Sequence, residues 1–164
     1  MFKKPIISFC IPAYNRGRRL FELVNNILCY QGNEIEVIVL DNLSTDDTSS
    51  LLGNISDPRF FYKKNETNIG GIKNPYKAMT LANGEFCFLC LDKDFIRYEY
   101  IDELIKRISG DKNLVFGYCT LNEQDSSSDI TYEKGFESIY NMVYLSAHPT
   151  GMFYRTDFYK KLPR

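Results

Sequence analysis

The chain has 164 residues, of which 44% are hydrophobic and 25% are charged, and its 20 Lys and Arg residues almost balance 21 Asp and Glu residues. This balance excludes a surface that coats nucleic acid and an electrostatic membrane anchor. No apolar run approaches the roughly 18 residues of a membrane span. We therefore expect one domain over 1–164. The short apolar run after Pro5 does not form a signal peptide, which predicts a cytoplasmic protein, at most peripheral at the inner face of the membrane.

Strands and helices are predicted to alternate along the chain. Short apolar runs predict strands at 6–11, 36–40, 60–63, 86–91, 114–121 and 151–154, with the strand at 60–63 expected at an edge of the sheet. Helical periodicity and capping residues predict helices at 18–31, up to Leu52, from Asn74 to Ala82, around 101–108, at 136–143 and at the end of the chain. In the third of these helices, Asn74 is predicted as the N-cap and Pro75 as the first helical residue. This alternation predicts an α/β fold with a mostly parallel sheet flanked by helices on both faces.

The most informative strand is the fourth, which is apolar from Phe86 to Leu91 and then meets two acids, Asp92 and Asp94. A strand buried on both faces belongs in the middle of a parallel sheet, and open α/β sheets bind ligands beyond the carboxyl ends of their strands. Two carboxylates there suit Mg²⁺ or Mn²⁺, and such an ion suits a diphosphate. A polar turn that binds nothing explains the same residues, so the pattern alone leaves both readings open.

Polar signals also follow the first two strands, at 12–16 and at Asp41. Together with a loop at 68–71 and the acids at 92–94, four motifs occur in an order that resembles the family 2 glycosyltransferases. The resemblance covers residues 6 to about 110. It implies a Rossmann-like GT-A fold, truncated at its C-terminal side. The implied activity is metal-dependent, inverting transfer of a sugar from a nucleotide-diphospho-sugar to a saccharide or lipid-linked acceptor.

The resemblance also implies a role for each matching residue. Asp94 would bind the metal, and Asp92 would contact the ribose or the metal. Asp41 would accept a hydrogen bond from the nucleobase imide, which favours a UDP-sugar, although capping the turn at Ser44 is an alternative. The nucleotide-binding residues implied in this way are Pro12, Ala13, Tyr14, Asn15, Asp41, Asn68, Gly70, Lys73 and Asp92.

Two positions depart from the family pattern: Asn42 stands where a second acid is frequent, and Phe95 where a third acid often follows. Inverting enzymes use a carboxylate base to deprotonate the acceptor hydroxyl. The resemblance places that base in a motif beyond Arg164, so we expect it outside this chain and expect the chain to be a fragment. The loop acids Asp125 and Asp129, with Glu133, are poor substitutes.

Other residues and readings carry weaker signals. The five cysteines are odd in number and lie in apolar segments, which predicts buried thiols and no disulfide framework. Cys87 and Cys90 lie three apart in a strand and point to opposite faces, which disfavours a zinc or redox pair. His148 is expected to make a structural hydrogen bond in a loop. Two further functions stay open: a haloacid-dehalogenase-type phosphatase using Asp92 and Asp94, and nucleotide binding without catalysis.

Overall fold

The computed structural model describes residues 4–119 and 150–163. Its strands are β1 (Ile7–Ala13), β2 (Ile35–Asp41), β3 (Phe60–Lys64), β4 (Phe86–Leu89), β5 (Phe116–Tyr118) and β6 (Met152–Arg155). Its α-helices are α1 (Gly17–Leu28), α2 (Thr48–Leu52), α3 (Lys73–Thr80), α4 (Ile101–Gly110) and α5 (Thr156–Tyr159), with a 3₁₀ turn at Tyr98–Tyr100. No helix among these described residues is long and apolar enough to cross a membrane.

The strands form one sheet in the order β3-β2-β1-β4-β6-β5. Strands β1 to β4 pair in parallel, whereas β6 is antiparallel to both β4 and β5. The predicted edge position of the third strand is confirmed, because β3 ends one side of the sheet. The predicted α/β class with a mostly parallel sheet is also confirmed.

Side chains of the central strands alternate between two apolar layers. Phe9 and Ile11 of β1 pack in a cluster with residues of α1, α2 and α4, while Cys10 packs on the other face with residues of α3 and α5. This alternation follows from the two-residue period of a strand. The helices therefore cover both faces of the sheet, as the pattern predicts.

The prediction of buried thiols is confirmed for Cys10, Cys87 and Cys90 and is wrong for Cys29, which is exposed, while Cys119 is partly buried. Cys87 and Cys90 are buried in different clusters on opposite faces of the sheet, and the cysteines of the described residues are free thiols. Burial raises the pKa of the Cys87 thiol to about 11. It also raises the pKa of the Cys90 thiol, so both are protonated, unreactive packing groups at neutral pH.

Two local predictions are corrected. Asn74 is not an N-cap: α3 begins at Lys73, and the buried Asn74 amide donates to the Leu40 carbonyl at 2.9 Å. The fourth strand ends at Leu89 and not at 91. Beyond this end, the Leu91 amide donates to the Thr150 hydroxyl and not to a strand backbone. The helix predicted at 136–143 lies outside the described residues.

Gly84 permits the close approach of the chain entering β4 to β1. A Cβ at this position would lie 2.7 Å from Ser8 Oγ and 2.9 Å from the Ser8 amide nitrogen. We therefore expect Gly84→Ala to lower the free energy of unfolding by about 1–3 kcal/mol, measured by urea denaturation. The control is Gly110→Ala at the end of α4, where the new Cβ has no described atom within 4 Å apart from adjacent residues and the backbone of its own helix. A Gly84→Ala protein as stable as wild type would contradict the packing.

Candidate functional site

The carboxyl ends of β1, β2 and β4 meet at one edge of the sheet. Ala13 at the end of β1 is aligned with Asp41 at the end of β2. On the other side of β1, the Cys90 amide just beyond β4 donates to the Cys10 carbonyl at 3.1 Å. The loops that follow these strands are therefore neighbours, which brings together the three polar segments that the sequence singles out.

Asp92 joins the turn after β4 to the loop after β1. Its Oδ2 lies 3.8 Å from Arg16 Nε, and its side chain is 21% exposed. Burial raises the pKa of Asp92 above its usual value, Arg16 and the Tyr14 backbone amide lower it in part, and the charge of Asp94 raises it further. The ionised form of Asp92 is thus held in a setting that an added cation would stabilise.

Asp94 is held from the opposite side by Thr150, whose hydroxyl donates to Asp94 Oδ2. Within residues 4–119 and 150–163, no group of three or more His, Cys, Asp or Glu side chains could by itself hold a metal ion. Two partly exposed carboxylates nevertheless fit Mg²⁺ or Mn²⁺, because Mg²⁺ usually binds one or two carboxylates and takes its other ligands from phosphates and water.

Sequence reasoning missed Thr150, although it singled out the neighbouring His148, which lies outside the described residues. Thr150 is fully buried, and its only local signal is its place before Gly151 at the start of a strand. Gly151 adopts a positive φ of 103°, and a Cβ there would lie 2.4 Å from the Cys119 carbonyl oxygen. The close approach of two chain segments therefore requires glycine at this position.

Asp41 is completely buried, and both of its carboxylate oxygens have partners. Oδ1 accepts from the amide and hydroxyl of Ser44 at 2.8 and 2.5 Å. Oδ2 accepts from the Tyr62 hydroxyl at 2.7 Å and lies 3.9 Å from Lys64 Nζ. Burial raises the pKa of Tyr62 to about 12, with the Asp41 carboxylate adding to the rise. Asp41 thus organises the turn after β2, and its contact with a nucleobase stays a prediction.

The loop after β1 is bonded to that same turn. The Asn15 amide donates to Ser44 Oγ at 2.8 Å, and Asn15 Oδ1 accepts from the Thr45 amide at 2.9 Å. Asn15 has a φ of 53°, a conformation for which asparagine is one of the preferred residues. The preceding Tyr14 is 45% exposed, which leaves its ring accessible. Pro12 and Ala13 are buried in β1.

A network of asparagine amides connects the end of β2 to the loop before α3. Asn42 Oδ1 accepts from the Asn65 side chain and the Ile69 amide, and Asn42 Nδ2 donates to Asn68 Oδ1 at 2.8 Å. Asn65 also donates to Asn74 Oδ1 and accepts from Lys77 Nζ. Sequence reasoning missed Asn65 and Lys77, because the partners come from separate elements.

There is open space at the tip of the loop before α3, around Gly70. Asn68 Oδ1 accepts from the Gly70 amide at 2.9 Å, and Gly70 has a φ of 86° with no described atom within 4 Å of a Cβ placed on it. Lys73 is exposed at the first position of α3. The structure therefore places Asn68 and Gly70 in one fixed turn. The binding role of Asn68, Gly70 and Lys73 stays a prediction.

The family model described as Glycosyl transferase family 2 matches residues 8–161. The chain therefore belongs to this family, which confirms the resemblance in its motifs.

Two relatives illustrate the similarity in sequence. The abequosyltransferase RfbV of Salmonella typhimurium is 38% identical over 90 residues, which are 51% of this chain and 27% of the relative. The GalNAc(5)-diNAcBac-PP-undecaprenol beta-1,3-glucosyltransferase of Campylobacter jejuni is 28% identical over 136 residues, which are 81% of this chain and 44% of the relative. The chain thus spans less than half the length of both relatives.

Solved structures agree in fold. A crystal structure of S. aureus TarS 1–349 matches with a TM-score of 0.70 at 24% identity, covering 94% of this chain and 48% of the chain in that structure. The mannosyltransferase PcManGT from Pyrobaculum calidifontis, in complex with GDP-Man and Mn²⁺, matches with a TM-score of 0.59 at 22% identity, covering 75% of this chain and 37% of that one. These likenesses confirm the GT-A architecture.

The amide network requires a side chain at position 42 that both donates and accepts hydrogen bonds. The Asn42 side chain must accept from Ile69 and also donate to Asn68. An aspartate would face Asn68 Oδ1 with a second acceptor, and turning the Asn68 amide over would point its NH₂ at the Gly70 amide. We expect Asn42→Asp to lower the free energy of unfolding by about 1–3 kcal/mol, measured by urea denaturation.

The matched control is Asn113→Asp, the same substitution in an exposed turn after α4. We expect it to change the free energy of unfolding by no more than about 0.5 kcal/mol. Equal effects of the two substitutions would show that the donor function of the Asn42 amide does not matter.

Proposed function

We propose that this chain binds a nucleotide-diphospho-sugar, specifically a UDP-sugar, together with Mn²⁺ or Mg²⁺. We further propose that it forms the donor-binding part of an inverting transferase acting on a saccharide or lipid-linked acceptor. The observation that carries the proposal is the juxtaposition of Asp92 and Asp94 with the loop after β1, where Arg16 and the Tyr14 amide contact Asp92. One edge of the sheet thereby combines anionic groups for a cation with an exposed aromatic ring.

The residues proposed to bind the diphosphate lie around the same edge of the sheet. Asp94 and Asp92 would hold the divalent ion, which when bound neutralises charge on the leaving diphosphate. The positive φ of Gly70 lets the backbone near Asn68 approach a ligand closely. Lys73, exposed at the start of α3, is proposed to contact a phosphate oxygen.

For the nucleoside, we propose that the exposed Tyr14 ring packs against the base and that Asn15, with the backbone of Pro12 and Ala13, lines this part of the site. Asp41 is proposed to accept from the uracil imide. Asp41 Oδ2 accepts one hydrogen bond, from Tyr62, and can accept a second. Because Asp41 is completely buried, this contact requires the side chains that cover it to move aside. One of the TarS structures is a complex with UDP, whereas PcManGT was solved with GDP-Man, so the base must be tested directly.

The acceptor proposal is supported by the name of the Campylobacter relative, which describes an undecaprenol-linked saccharide acceptor. A cytoplasmic location remains part of the proposal. Nucleotide binding without transfer remains the second candidate, because the groups proposed to bind the donor lie among the described residues and the chain covers only part of its relatives. The comparisons give no support to the phosphatase reading.

The test is calorimetric titration with UDP, with and without Mn²⁺, using GDP and dTDP as nucleotide controls. We expect metal-dependent UDP binding that Asp94→Asn weakens roughly tenfold or more. The matched control is Asp111→Asn, which removes an exposed acid just after α4 and is expected to leave UDP binding unchanged.

Three outcomes would contradict parts of the proposal. Absence of nucleotide binding in the presence of metal would contradict the function as a whole. Equal binding by wild type and Asp94→Asn would remove the metal role of Asp94. Preference for GDP would overturn the proposed base contact of Asp41, while leaving a nucleotide-sugar site in place.

A further inference from the structure

Thr150 makes a two-sided bridge that the donor-binding residues do not account for. It is fully buried just before β6, and its hydroxyl accepts from the Leu91 amide at 2.9 Å while donating to Asp94 Oδ2. Leu91 and Asp94 lie either side of Asp92 in the turn after β4. Thr150 therefore binds both ends of the segment that carries the two acids.

The direction of this bridge is determined by hydrogen-bond chemistry. A threonine hydroxyl has one proton to donate and lone pairs to accept with. The Leu91 N–H can only donate, so the hydroxyl proton is directed at the Asp94 carboxylate. Accepting one hydrogen bond also polarises the hydroxyl and strengthens the bond that it donates. The contact therefore holds the Asp94 carboxylate in one orientation.

The backbone around Thr150 is held independently of that hydroxyl. The Gly151 amide donates to the Leu89 carbonyl at 3.1 Å, and the Cys119 amide donates to the Gly151 carbonyl at 3.0 Å. The branched Cβ of threonine restricts its side-chain rotation. The hydroxyl is consequently presented to Asp94 by a rigid segment of the sheet.

We infer that Thr150 is a positioning residue for the metal site, which aims the Asp94 carboxylate at a divalent cation. The inference rests on the proposed function, since it assigns a support to one of the proposed ligands. Groups that hydrogen-bond a metal-ligating carboxylate orient it, and their loss typically weakens metal affinity by about 10- to 100-fold. Thr150 would thus set cation affinity without contacting the cation.

The variants separate the hydroxyl from the shape of the side chain. Thr150→Val keeps the branched shape and removes the hydroxyl, Thr150→Ser keeps the hydroxyl, and Thr150→Cys supplies a weaker donor. Mn²⁺ affinity in the presence of UDP is measured from the electron paramagnetic resonance signal of free Mn²⁺, and thermal unfolding is recorded for each protein. We expect a loss of about 10- to 100-fold for valine, a smaller loss for cysteine, and near wild-type affinity for serine.

Ser8 provides a matched control at the other end of the strands. Its buried hydroxyl accepts from the Gly84 amide at 2.8 Å and donates to Glu36 Oε1 at 2.5 Å, the same pattern as at Thr150. Ser8→Ala therefore removes a comparable bridge far from Asp94. We expect it to lower the unfolding temperature without changing Mn²⁺ affinity.

The outcomes distinguish a failure of the inference about Thr150 from a failure of the proposed function. Wild-type Mn²⁺ affinity in the folded Thr150→Val protein would overturn the inference and leave the proposed function standing. If the valine variant does not fold, wild-type affinity in Thr150→Cys would overturn it equally. A serine variant as weak as valine would also contradict it, because the hydroxyl would not be the determinant. Failure of the wild-type protein to bind Mn²⁺ with UDP would overturn the metal-dependent function itself, and this inference with it.

Discussion

Parallel pairing of β1 with β2 on one side and with β4 on the other determines where every candidate residue lies. The three strands end at the same edge, so the segments that follow them must meet there. Apolar side chains fill both faces of β1, which anchors this arrangement between two layers of helices. Hydrophobic burial thus holds the backbone, and hydrogen bonds and charge pairs then set the side chains at the edge.

At that edge, side chains whose hydrogen bonds are made by their neighbours lie near an acid whose negative charge is disfavoured. Asp41 and the asparagine network have their hydrogen-bonding groups occupied by neighbours, which makes the turn after β2 and the loop at Gly70 a rigid frame. Asp92 differs, because burial and the nearby Asp94 disfavour its charge. A bound cation would relieve this electrostatic cost, and a ligand that binds only the folded state stabilises that state. Cation binding and stability should therefore be coupled through Asp92.

Local patterns in the sequence were sufficient for most of the fold. Short apolar runs and helical periodicity depend on neighbouring residues, so they predicted the strands, most helices and the polar strand ends. They were wrong for Asn74, because an Asn-Pro pair is typical of a helix start while its amide is used in a tertiary contact with β2. Thr150 and Asn65 were missed because their hydrogen bonds join elements far apart in the chain. Such partners become visible only once the sheet order is known.

Through the contact between Thr150 and Asp94, the antiparallel part of the sheet holds an acid that follows a strand of the parallel part. β6 pairs with β4, the strand that precedes the acids, yet Thr150 just before β6 follows Asp94 by 56 positions in the sequence. A displacement of β6 would therefore also move the Asp94 carboxylate. The packing of β6 and the proposed cation binding at the strand ends would then depend on the same hydrogen-bonded turn.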